Sequence, residues 1–255
     1  MADLKTASGL DGLVAELRAA IEAANHVVAL TGAGISAESG IPTFRGPGGL
    51  WRNFSPEQLA TPSAFARDPR LVWEWYDWRR SLIRAAQPNP AHLALVELER
   101  RSGEDAGGQR TFTVVTQNVD GLHERAGSRN VVKLHGDIWL LRCTGCGAES
   151  HNEQVPLPDL PPHCSCGALL RPGVVWFGES LPMAEWARAV DACTRAQIVL
   201  IVGTSATVYP AAGLAGEARR AGARIAVVNP QASELDSAAT WVLSGPAGEI
   251  LPRLL

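Results

Sequence analysis

The sequence lacks any apolar run long enough to cross a lipid bilayer. Its clearest apolar run, residues 198–202, is five residues long, whereas a transmembrane helix needs about 20. The first five residues, MADLK, contain nothing like the apolar core of a secretory signal, so we expect no leader peptide. These absences predict a cytoplasmic protein that does not insert into membranes.

An excess of charge of one sign is also missing. The 23 Lys and Arg residues nearly balance the 26 Asp and Glu residues, and the net charge is −3. Proteins that bind nucleic acid or acidic lipid surfaces are usually basic, so we expect neither as a partner. With 255 residues, 46% of them hydrophobic, the chain can form one large domain, or a large and a small one.

Cysteines are few, and four of the five are clustered. Cys143 and Cys146 form one close pair, and Cys164 and Cys166 form a second. Two such pairs are typical of a structural zinc site, in which sulfur fills all four tetrahedral positions. The alternative is four unrelated free thiols, since disulfides fit a reducing compartment poorly. We predict one structural Zn²⁺ at these four residues and a core thiol at Cys193.

The stretch GAGISAESGIPTFRG, residues 32–46, lacks the continuation that a dehydrogenase would have. It follows a short apolar strand, and Gly32, Gly34 and Ala37 have the spacing of a turn whose backbone holds a pyrophosphate. A dehydrogenase would continue with a helix and a second strand ending in an acidic residue about 20 positions later. Here Pro42 interrupts the helix, and no such strand follows. The sequence predicts a dinucleotide site but not an ordinary dehydrogenase.

Strand and helix patterns alternate along most of the chain. Short apolar runs predict strands, and amphipathic periodicity predicts helices. Their alternation is typical of a parallel sheet covered on both faces, so we predict an α/β fold with a Rossmann-like doubly wound parallel sheet. The predicted strands are 26–30, 112–116, 131–134, 198–202, 224–228 and 239–243, and the predicted helices are 9–25, 56–66, 69–86, 90–101, 211–221 and 246–255.

Two segments interrupt this alternation. Residues 47–90 are rich in Trp and Pro, and residues 139–172 contain Cys and Pro without helical periodicity. We predict that these insertions form a smaller lobe, made of a helical insertion and a zinc-binding module. Residues 1–46, 91–138 and 173–255 would then form the Rossmann-like domain that binds the dinucleotide.

Polar or glycine-rich residues follow four of the predicted strands. Because the carboxyl ends of parallel strands meet at one edge of the sheet, where such folds bind ligands, we expect these residues to lie together. Singly, each has an ordinary explanation, since amides serve in turns and a histidine after a strand is often a core residue. Their convergence favours a site that contains Gln117, Asn118, Asp120, His135, Gly203, Thr204, Ser205 and Asn229.

Several motifs lie in order along the chain. Besides residues 32–46 and the cysteines, they are TQNVDGLH at 116–123, LHG at 134–136, VVWFGE at 174–179, GTS at 203–205 and VNP at 228–230. Together they resemble the motifs of the sirtuins, NAD-dependent protein lysine deacylases. The resemblance implies that NAD is consumed rather than reduced: the acyl oxygen of a modified lysine would attack C1′ of the nicotinamide ribose, nicotinamide would leave, and the products would be free lysine and 2′-O-acyl-ADP-ribose.

The resemblance also implies roles for individual residues. His135 is the general base that takes a proton from the ribose hydroxyls, and Asn118 lines the nicotinamide pocket beside it. The substrate peptide pairs, main chain to main chain, with Val174, Val175, Trp176 and Phe177. The remaining residues implied to contact NAD are Gly32, Ala33, Gly34, Ser36, Ala37, Phe44, Arg45, Gln117, Asp120, Gly203, Thr204, Ser205, Asn229 and Ala247.

Tyr76 and Arg79 lie three positions apart on a predicted helix and therefore share a face. They resemble the Tyr-x-x-Arg signature of class III, desuccinylase-type sirtuins of the bacterial type, in which a phenol and a guanidinium hold the distal carboxylate of the acyl group. Without the family they would be a packed Tyr and a surface Arg. We expect Arg80 to face solvent. Gly173 and Pro47 depart from the family pattern, which often has His and Ala there, and could shift acyl preference.

The sequence leaves several alternatives open. The protein could be mainly a deacetylase, or a protein ADP-ribosyltransferase that uses the same chemistry at C1′. More distant alternatives are a dehydrogenase and a non-catalytic module that senses NAD. The interpretation that we carry forward is a monomeric enzyme that acts on acylated lysine in protein substrates.

Overall fold

Nine strands form two sheets in the part of the chain that the computed structural model describes, residues 3–44, 49–51, 54–104, 110–205 and 208–255. Six strands belong to a large sheet and three to a small one. The strands are β1 (His26–Thr31), β2 (Thr111–Thr116), β3 (Val131–Lys133), β4 (Gly136–Cys143), β5 (Glu149–His151), β6 (Leu170–Val174), β7 (Ile198–Val202), β8 (Arg224–Asn229) and β9 (Trp241–Ser244).

The large sheet is parallel throughout and has the order β3-β2-β1-β7-β8-β9. Val27 of β1 lies level with Phe112 of β2 and Ile198 of β7. The chain order reverses between β1 and β7, and such a switch point is where open α/β sheets bind ligands. All of β7 is buried, as expected for a strand covered on both faces. The predicted Rossmann-like parallel sheet is confirmed.

Helices cover both faces of the large sheet. On one face α1 (Asp3–Ala23) and α5 (Pro90–Glu104) bury Leu17 and Leu95 completely, and on the other face α7 (Met183–Arg195) and α8 (Gly213–Arg220) bury Ala189 and Leu214 completely. None of the helices in the described residues is long and apolar enough to cross a membrane. The helices are α1 (Asp3–Ala23), α2 (Pro56–Leu59), α3 (Pro62–Arg67), α4 (Pro69–Ala85), α5 (Pro90–Glu104), α6 (Leu122–Ala126), α7 (Met183–Arg195), α8 (Gly213–Arg220) and α9 (Ala247–Ile250).

The small sheet is antiparallel, with the order β5-β4-β6. Its core is continuous with α4, because Trp73 packs in one buried cluster with Ile138 and Trp176. The sequence patterns did not predict these strands. The pairing of β4 with β6 is irregular between Gly136 and Leu141, and such an irregularity breaks the two-residue alternation that identifies a strand.

Several helix boundaries also differ from the predicted ones. The first helix begins at Asp3 rather than at residue 9. The helix predicted at 56–66 is divided into α2 and α3, because the Thr61 hydroxyl accepts the Ala64 N–H at 3.0 Å and starts a new helix with Pro62 in its first turn. The last predicted helix, 246–255, is divided into α9 and a short 3₁₀ helix.

Candidate active site

One cavity of about 700 Å³ lies at the carboxyl edge of the large sheet and extends to α4 and β6. Its volume is within the usual range for small-molecule sites. Most of the predicted site residues line this cavity. From the predicted NAD and catalytic set they are Gly32, Ala33, Gly34, Ser36, Phe44, Gln117, Asn118, Asp120, His135, Gly203, Thr204, Ser205 and Asn229, and from the predicted substrate set they are Tyr76, Arg79, Val174, Val175, Trp176 and Phe177.

Three residues of the predicted NAD set are not placed in the cavity. Arg45 lies outside the described residues, as does Pro47. Ala37 is exposed on the short 3₁₀ helix Ala33–Ser39 and does not line the cavity. Ala247 is buried in the core of the large sheet and does not line it either. That Ala37 and Ala247 lie against NAD stays a prediction.

The turn after β1 packs directly against the turn after β7. A Cβ atom added to Gly34 would lie 2.7 Å from both the Cα and the carbonyl oxygen of Gly203. The N–H groups of Gly32 and Gly34 donate to the carbonyls of Val202 and Gly203 at 3.1 and 2.8 Å. These two N–H groups are therefore not free to bind a pyrophosphate. The spacing of the motif had suggested that they would be. The glycines instead allow close contact between the two turns.

A polar network joins this turn to the end of β2. The Ser36 hydroxyl donates to Asp120 Oδ2 at 2.8 Å, and the Asn118 side-chain amide donates to the Gly32 carbonyl at 3.1 Å. The second Asp120 oxygen accepts the Leu122 N–H at 2.9 Å. Because their partners hold these side chains in place, the amide and carboxylate groups are pre-positioned at the cavity wall.

A second polar network lies beneath the strand ends. The Thr31 hydroxyl donates to the Thr116 hydroxyl at 2.8 Å and accepts from His123 Nε2 at 2.9 Å. The His123 ring lies 5.0 Å from that of His92. Burial lowers the pKa of each of these histidines to about 4. Both rings are therefore neutral at physiological pH and act as structural polar groups below the cavity.

His135 follows β3 and has the hydrogen bonding expected of a general base. Its Nδ1 lies 3.0 Å from the Gln117 carbonyl oxygen. A carbonyl only accepts hydrogen bonds, so Nδ1 carries the hydrogen and Nε2 keeps its lone pair. Burial lowers the pKa of His135, and the Gln117 hydrogen bond partly offsets that effect. The ring is neutral and able to accept a proton at neutral pH.

The residues after β7 and β8 are tied to those after β2. The Gln117 amide donates to the Thr204 hydroxyl at 3.2 Å, and the Asn229 amide donates to the Thr204 carbonyl at 3.0 Å. Four predicted strand ends thus form one connected wall of amides and hydroxyls. Such groups can hydrogen-bond the hydroxyls and phosphate oxygens of a dinucleotide.

Tyr76 and Arg79 lie in the wall that α4 contributes. Both side chains are buried, and the Arg79 guanidinium carbon lies 4.8 Å from the Trp75 ring centroid and 5.1 Å from that of Phe44. Among the described residues, Arg79 has no ion-pair partner, and its Nε has no hydrogen-bond partner. Burial lowers the pKa of Arg79, yet arginine stays charged in proteins. An unpaired buried cation at a cavity wall favours an anionic ligand.

The expectation that Arg80 faces solvent is wrong. Its side chain is fully buried, and Nη2 donates to the backbone carbonyls of Asn152 and Gln154 at 2.6 and 3.1 Å. Arg80 therefore ties α4 to the chain beyond β5. Arg84, one turn further along this helix, is exposed and pairs with Glu153 at the surface. Helical spacing alone did not reveal this, because the loop that covers Arg80 is distant in sequence.

The segment after β6 is held by its own hydrogen bonds. The N–H groups of Val175 and Phe177 donate to the carbonyls of His135 and Ala60, both at 2.9 Å. The Trp176 N–H donates to Glu179 Oε2 at 2.8 Å. Main-chain pairing with a substrate therefore cannot use these three N–H groups in this conformation, and it is restricted to the remaining backbone groups of the segment.

The departure at Gly173 has a structural explanation. A Cβ atom on Gly173 would lie 2.6 Å from the Leu140 Cβ and 2.8 Å from its Cγ. Gly136, on the facing strand, has a φ of +80° and allows no more space, since a Cβ there would lie 2.2 Å from the Gly173 carbonyl oxygen. Leu140 thus fills the space that a side chain at position 173 would need.

Sequence reasoning missed the aromatic part of the cavity wall. Trp51 and Trp75 stack with ring centroids 5.3 Å apart, and both line the cavity together with Ile41. The unusual Trp content of residues 47–90 was the available signal. Composition alone cannot show that these rings face a ligand cavity rather than a core.

The four clustered cysteines converge at one end of the small sheet. Cys143 Sγ lies 3.5 Å from Cys166 Sγ, Cys146 Sγ lies 3.9 Å from Cys164 Sγ, and all four sulfurs lie within 4.8 Å of one another. Four sulfurs at about 2.3 Å from a tetrahedral Zn²⁺ would be about 3.8 Å apart, so the thiols fit a zinc ion. Hydrogen bonds from the backbone N–H groups of Cys146 and Gly145 lower the pKa of Cys143 to about 6, which favours the thiolate. Cys193 is a buried core thiol.

Comparison with known proteins agrees with this geometry. The Sir2 family matches residues 32–210. NAD-dependent protein deacylase 2 of Pyrobaculum aerophilum is 53% identical over 236 residues, which cover 92% of each chain. A solved complex of a Sir2 homologue with NAD is 49% identical with a TM-score of 0.86, covering 94% of this chain and 91% of that one. A Sir2 structure with a deacetylated p53 peptide and 3′-O-acetyl ADP-ribose is 33% identical with a TM-score of 0.82, covering 94% of this chain and 96% of that one.

The similarity and the cavity point to the same chemistry. The family match includes both turns that pack at the switch point, the neutral His135 and all four thiols. The curated relative matches over nearly its full length rather than over the dinucleotide turn alone, which excludes a shared nucleotide-binding module as the explanation. The chain belongs to the Sir2 family and is an NAD-dependent protein deacylase.

Proposed function

We propose that this deacylase removes succinyl and malonyl groups from lysine, in addition to acetyl groups. The observation that carries the proposal is the buried Arg79, which has no ion-pair partner among the described residues and lies beside the Tyr76 hydroxyl in the cavity wall. Both groups are hydrogen-bond donors, and a carboxylate accepts from both. The acetyl group has no distal carboxylate, so this pair contributes little to acetyl-lysine binding.

The nearest competing carboxylate does not satisfy Arg79. Asp120 is close enough for its charge to favour the protonated guanidinium. Its two oxygens, however, accept hydrogen bonds from the Ser36 hydroxyl and the Leu122 N–H. No ion pair of Arg79 is formed among the described residues. The guanidinium is therefore available to a carboxylate that enters with the substrate.

We infer that His135 is the general base of the reaction. Bound NAD would supply an electrophilic C1′ and nicotinamide as the leaving group. The free Nε2 of His135 can accept a proton from a ribose hydroxyl, while the Gln117 carbonyl holds the ring through Nδ1. The Asn118 amide is fixed at the same wall and would line the nicotinamide pocket. The products would be nicotinamide, free lysine and 2′-O-acyl-ADP-ribose.

The substrate is proposed to be an acylated lysine within a protein. The relative solved with a deacetylated p53 peptide supports this class of substrate. Exposed Phe177 at the cavity wall offers an apolar surface for the flanking peptide. A cytoplasmic location, a monomeric state and the division into a dinucleotide domain and a smaller lobe remain predictions.

The test compares acetyl-, succinyl- and malonyl-lysine peptides of one sequence, with NAD, in the wild type and in Arg79→Met. Hydrogen bonds to charged groups contribute about 1.5–3 kcal/mol, so we expect the ratio of kcat/KM for succinyl over acetyl peptide to fall about 10- to 100-fold. Arg84→Met is the matched control, since Arg84 lies on the same helix but pairs at the surface. An unchanged ratio in Arg79→Met would refute carboxylate recognition.

A further inference from the structure

We propose that Trp176 is a specificity-determining positioning residue, which directs the Tyr76 hydroxyl hydrogen towards the distal carboxylate of the acyl group. The proposal rests on the carboxylate recognition described under the proposed function. It assigns to the Trp176 indole a role separate from any main-chain pairing of residues 174–177 with the substrate peptide.

The direction of the hydrogen bond between the two side chains is unambiguous. Trp176 Nε1 lies 2.9 Å from the Tyr76 hydroxyl oxygen, in a buried position. An indole N–H can only donate, so the tyrosine oxygen must be the acceptor. Because the indole N–H occupies an acceptor site of this oxygen, the hydroxyl hydrogen cannot point at the indole and must be directed elsewhere.

That hydroxyl hydrogen has no acceptor among the described residues. The Tyr76 hydroxyl oxygen accepts a hydrogen bond from Trp176, and its second interaction is with the Arg79 guanidinium, which can also only donate. Burial raises the pKa of Tyr76 and outweighs the opposite effects of Arg79 and of the Trp176 hydrogen bond, so the group remains a donor at neutral pH. A buried donor without an acceptor is costly. Since Tyr76 lines the cavity, a ligand oxygen can satisfy it.

The Arg79 guanidinium also needs a hydrogen-bond acceptor. Its guanidinium carbon lies 5.4 Å from the Tyr76 ring centroid, and its Nε has no hydrogen-bond partner among the described residues. Two neighbouring donors, one charged and one neutral, are satisfied together by a carboxylate, which only accepts. If the tyrosine hydrogen were free to rotate, part of this complementarity would be lost, because ordering it would cost free energy on binding.

The indole is itself held rigidly. The Arg171 guanidinium carbon lies 3.5 Å from the Trp176 ring centroid, and Arg171 pairs with Glu179. Glu179 in turn accepts the Trp176 backbone N–H, while Phe65 packs against the ring at 5.3 Å. Backbone, ring face and ring edge are thus all restrained. The hydrogen-bond geometry at Tyr76 is therefore present before any substrate binds.

The test is a double-mutant cycle read as the ratio of kcat/KM for succinyl over acetyl peptide. Trp176→Phe removes the indole N–H, and we expect the ratio to fall about three- to tenfold, as for loss of one neutral hydrogen bond. In a Tyr76→Phe background the same change should leave the ratio unaltered, since the hydroxyl through which Trp176 acts is absent. Trp186→Phe, on the far side of the large sheet, controls for loss of an indole elsewhere.

A second variant separates the hydrogen bond from packing. Replacing Trp176 with 3-benzothienylalanine puts sulfur in place of the N–H and keeps the bicyclic shape, so the ratio should fall as it does in Trp176→Phe. The proposal is overturned if the ratio of kcat/KM for succinyl over acetyl peptide is unchanged in both variants. It is also overturned if replacing Trp176 lowers that ratio equally in the Tyr76→Phe background. If those results occur while Arg79→Met still lowers the ratio, carboxylate recognition stands without the role of Trp176. A wild type without succinyl turnover overturns both.

Discussion

Replacing Gly34 with alanine tests the conclusion that this glycine serves close packing rather than phosphate binding. The added methyl carbon would lie 2.7 Å from the Gly203 Cα, 2.7 Å from its carbonyl oxygen and 3.0 Å from its carbonyl carbon. All three atoms are backbone, so no side chain can rotate away. The turn after β1 must separate from the turn after β7 to admit the methyl group.

The expected loss of stability can be estimated from this geometry. Forcing a methyl group into a packed site costs about 1–3 kcal/mol. For a chain of this size, 1 kcal/mol corresponds to roughly 2–4 °C in Tm, so we expect Gly34→Ala to lower Tm by about 2–12 °C. The affinity for NAD should fall as well, because Gly34 and Gly203 both line the cavity.

Circular dichroism melts and calorimetric titration of NAD measure the two effects. The matched control is Gly12→Ala in α1, where an added Cβ meets no atom within 4 Å. There the same change should raise Tm slightly, since alanine favours a helix over glycine by about 0.8–1 kcal/mol. A Gly34→Ala protein that melts and binds NAD like the wild type would refute the packing argument.

Three further predictions concern the base, the buried arginine and the thiols. His135→Ala should abolish formation of free lysine and 2′-O-acyl-ADP-ribose while calorimetry still detects NAD binding, and retained turnover would remove His135 as the base. Burial lowers the pKa of His135, and the neutral ring is the active form. Wild-type kcat/KM should therefore fall as the pH decreases, with a midpoint below 6.5. A midpoint above 6.5 would contradict the assignment of His135 as the base. Arg80→Met should lower Tm by several degrees through loss of its buried hydrogen bonds, worth about 1.5–3 kcal/mol, and Arg84→Met should lower it much less. Cys143→Ser should lower zinc content as measured by metal analysis, whereas Cys193→Ser should not.

The large sheet could be predicted from the sequence because its strands are local signals. A run such as residues 198–202 is short, apolar at every position and rich in β-branched residues, which is typical of a strand buried on both faces. The small sheet could not be predicted in the same way. Its strand β4 has an irregular register and ends in a metal-ligand turn, and its partner β6 lies about 30 residues further along the chain.

The candidate site likewise combines residues that the sequence predicts with contacts that it does not reveal. His135 and Asn118 follow strands, so their meeting at one edge follows from topology. The burial of Arg80 depends on a loop about 70 residues away in the chain, and no periodicity in α4 reports such a contact. Likewise, the N–H groups of Gly32 and Gly34 are engaged by β7 and its turn, which the motif spacing does not reveal.

Strands β4 and β6 connect the catalytic cavity with the cysteine cluster. β4 begins directly after His135 and ends at Cys143, while β6 ends at Val174 in the cavity wall, opposite Gly136. The thiols and the base are thus joined by one paired ribbon roughly 20 Å long. Where substrate binding orders this ribbon, any free energy that couples it to the thiols is reciprocal. A substrate that binds more tightly when metal is present would raise the affinity of the thiols for metal by the same factor.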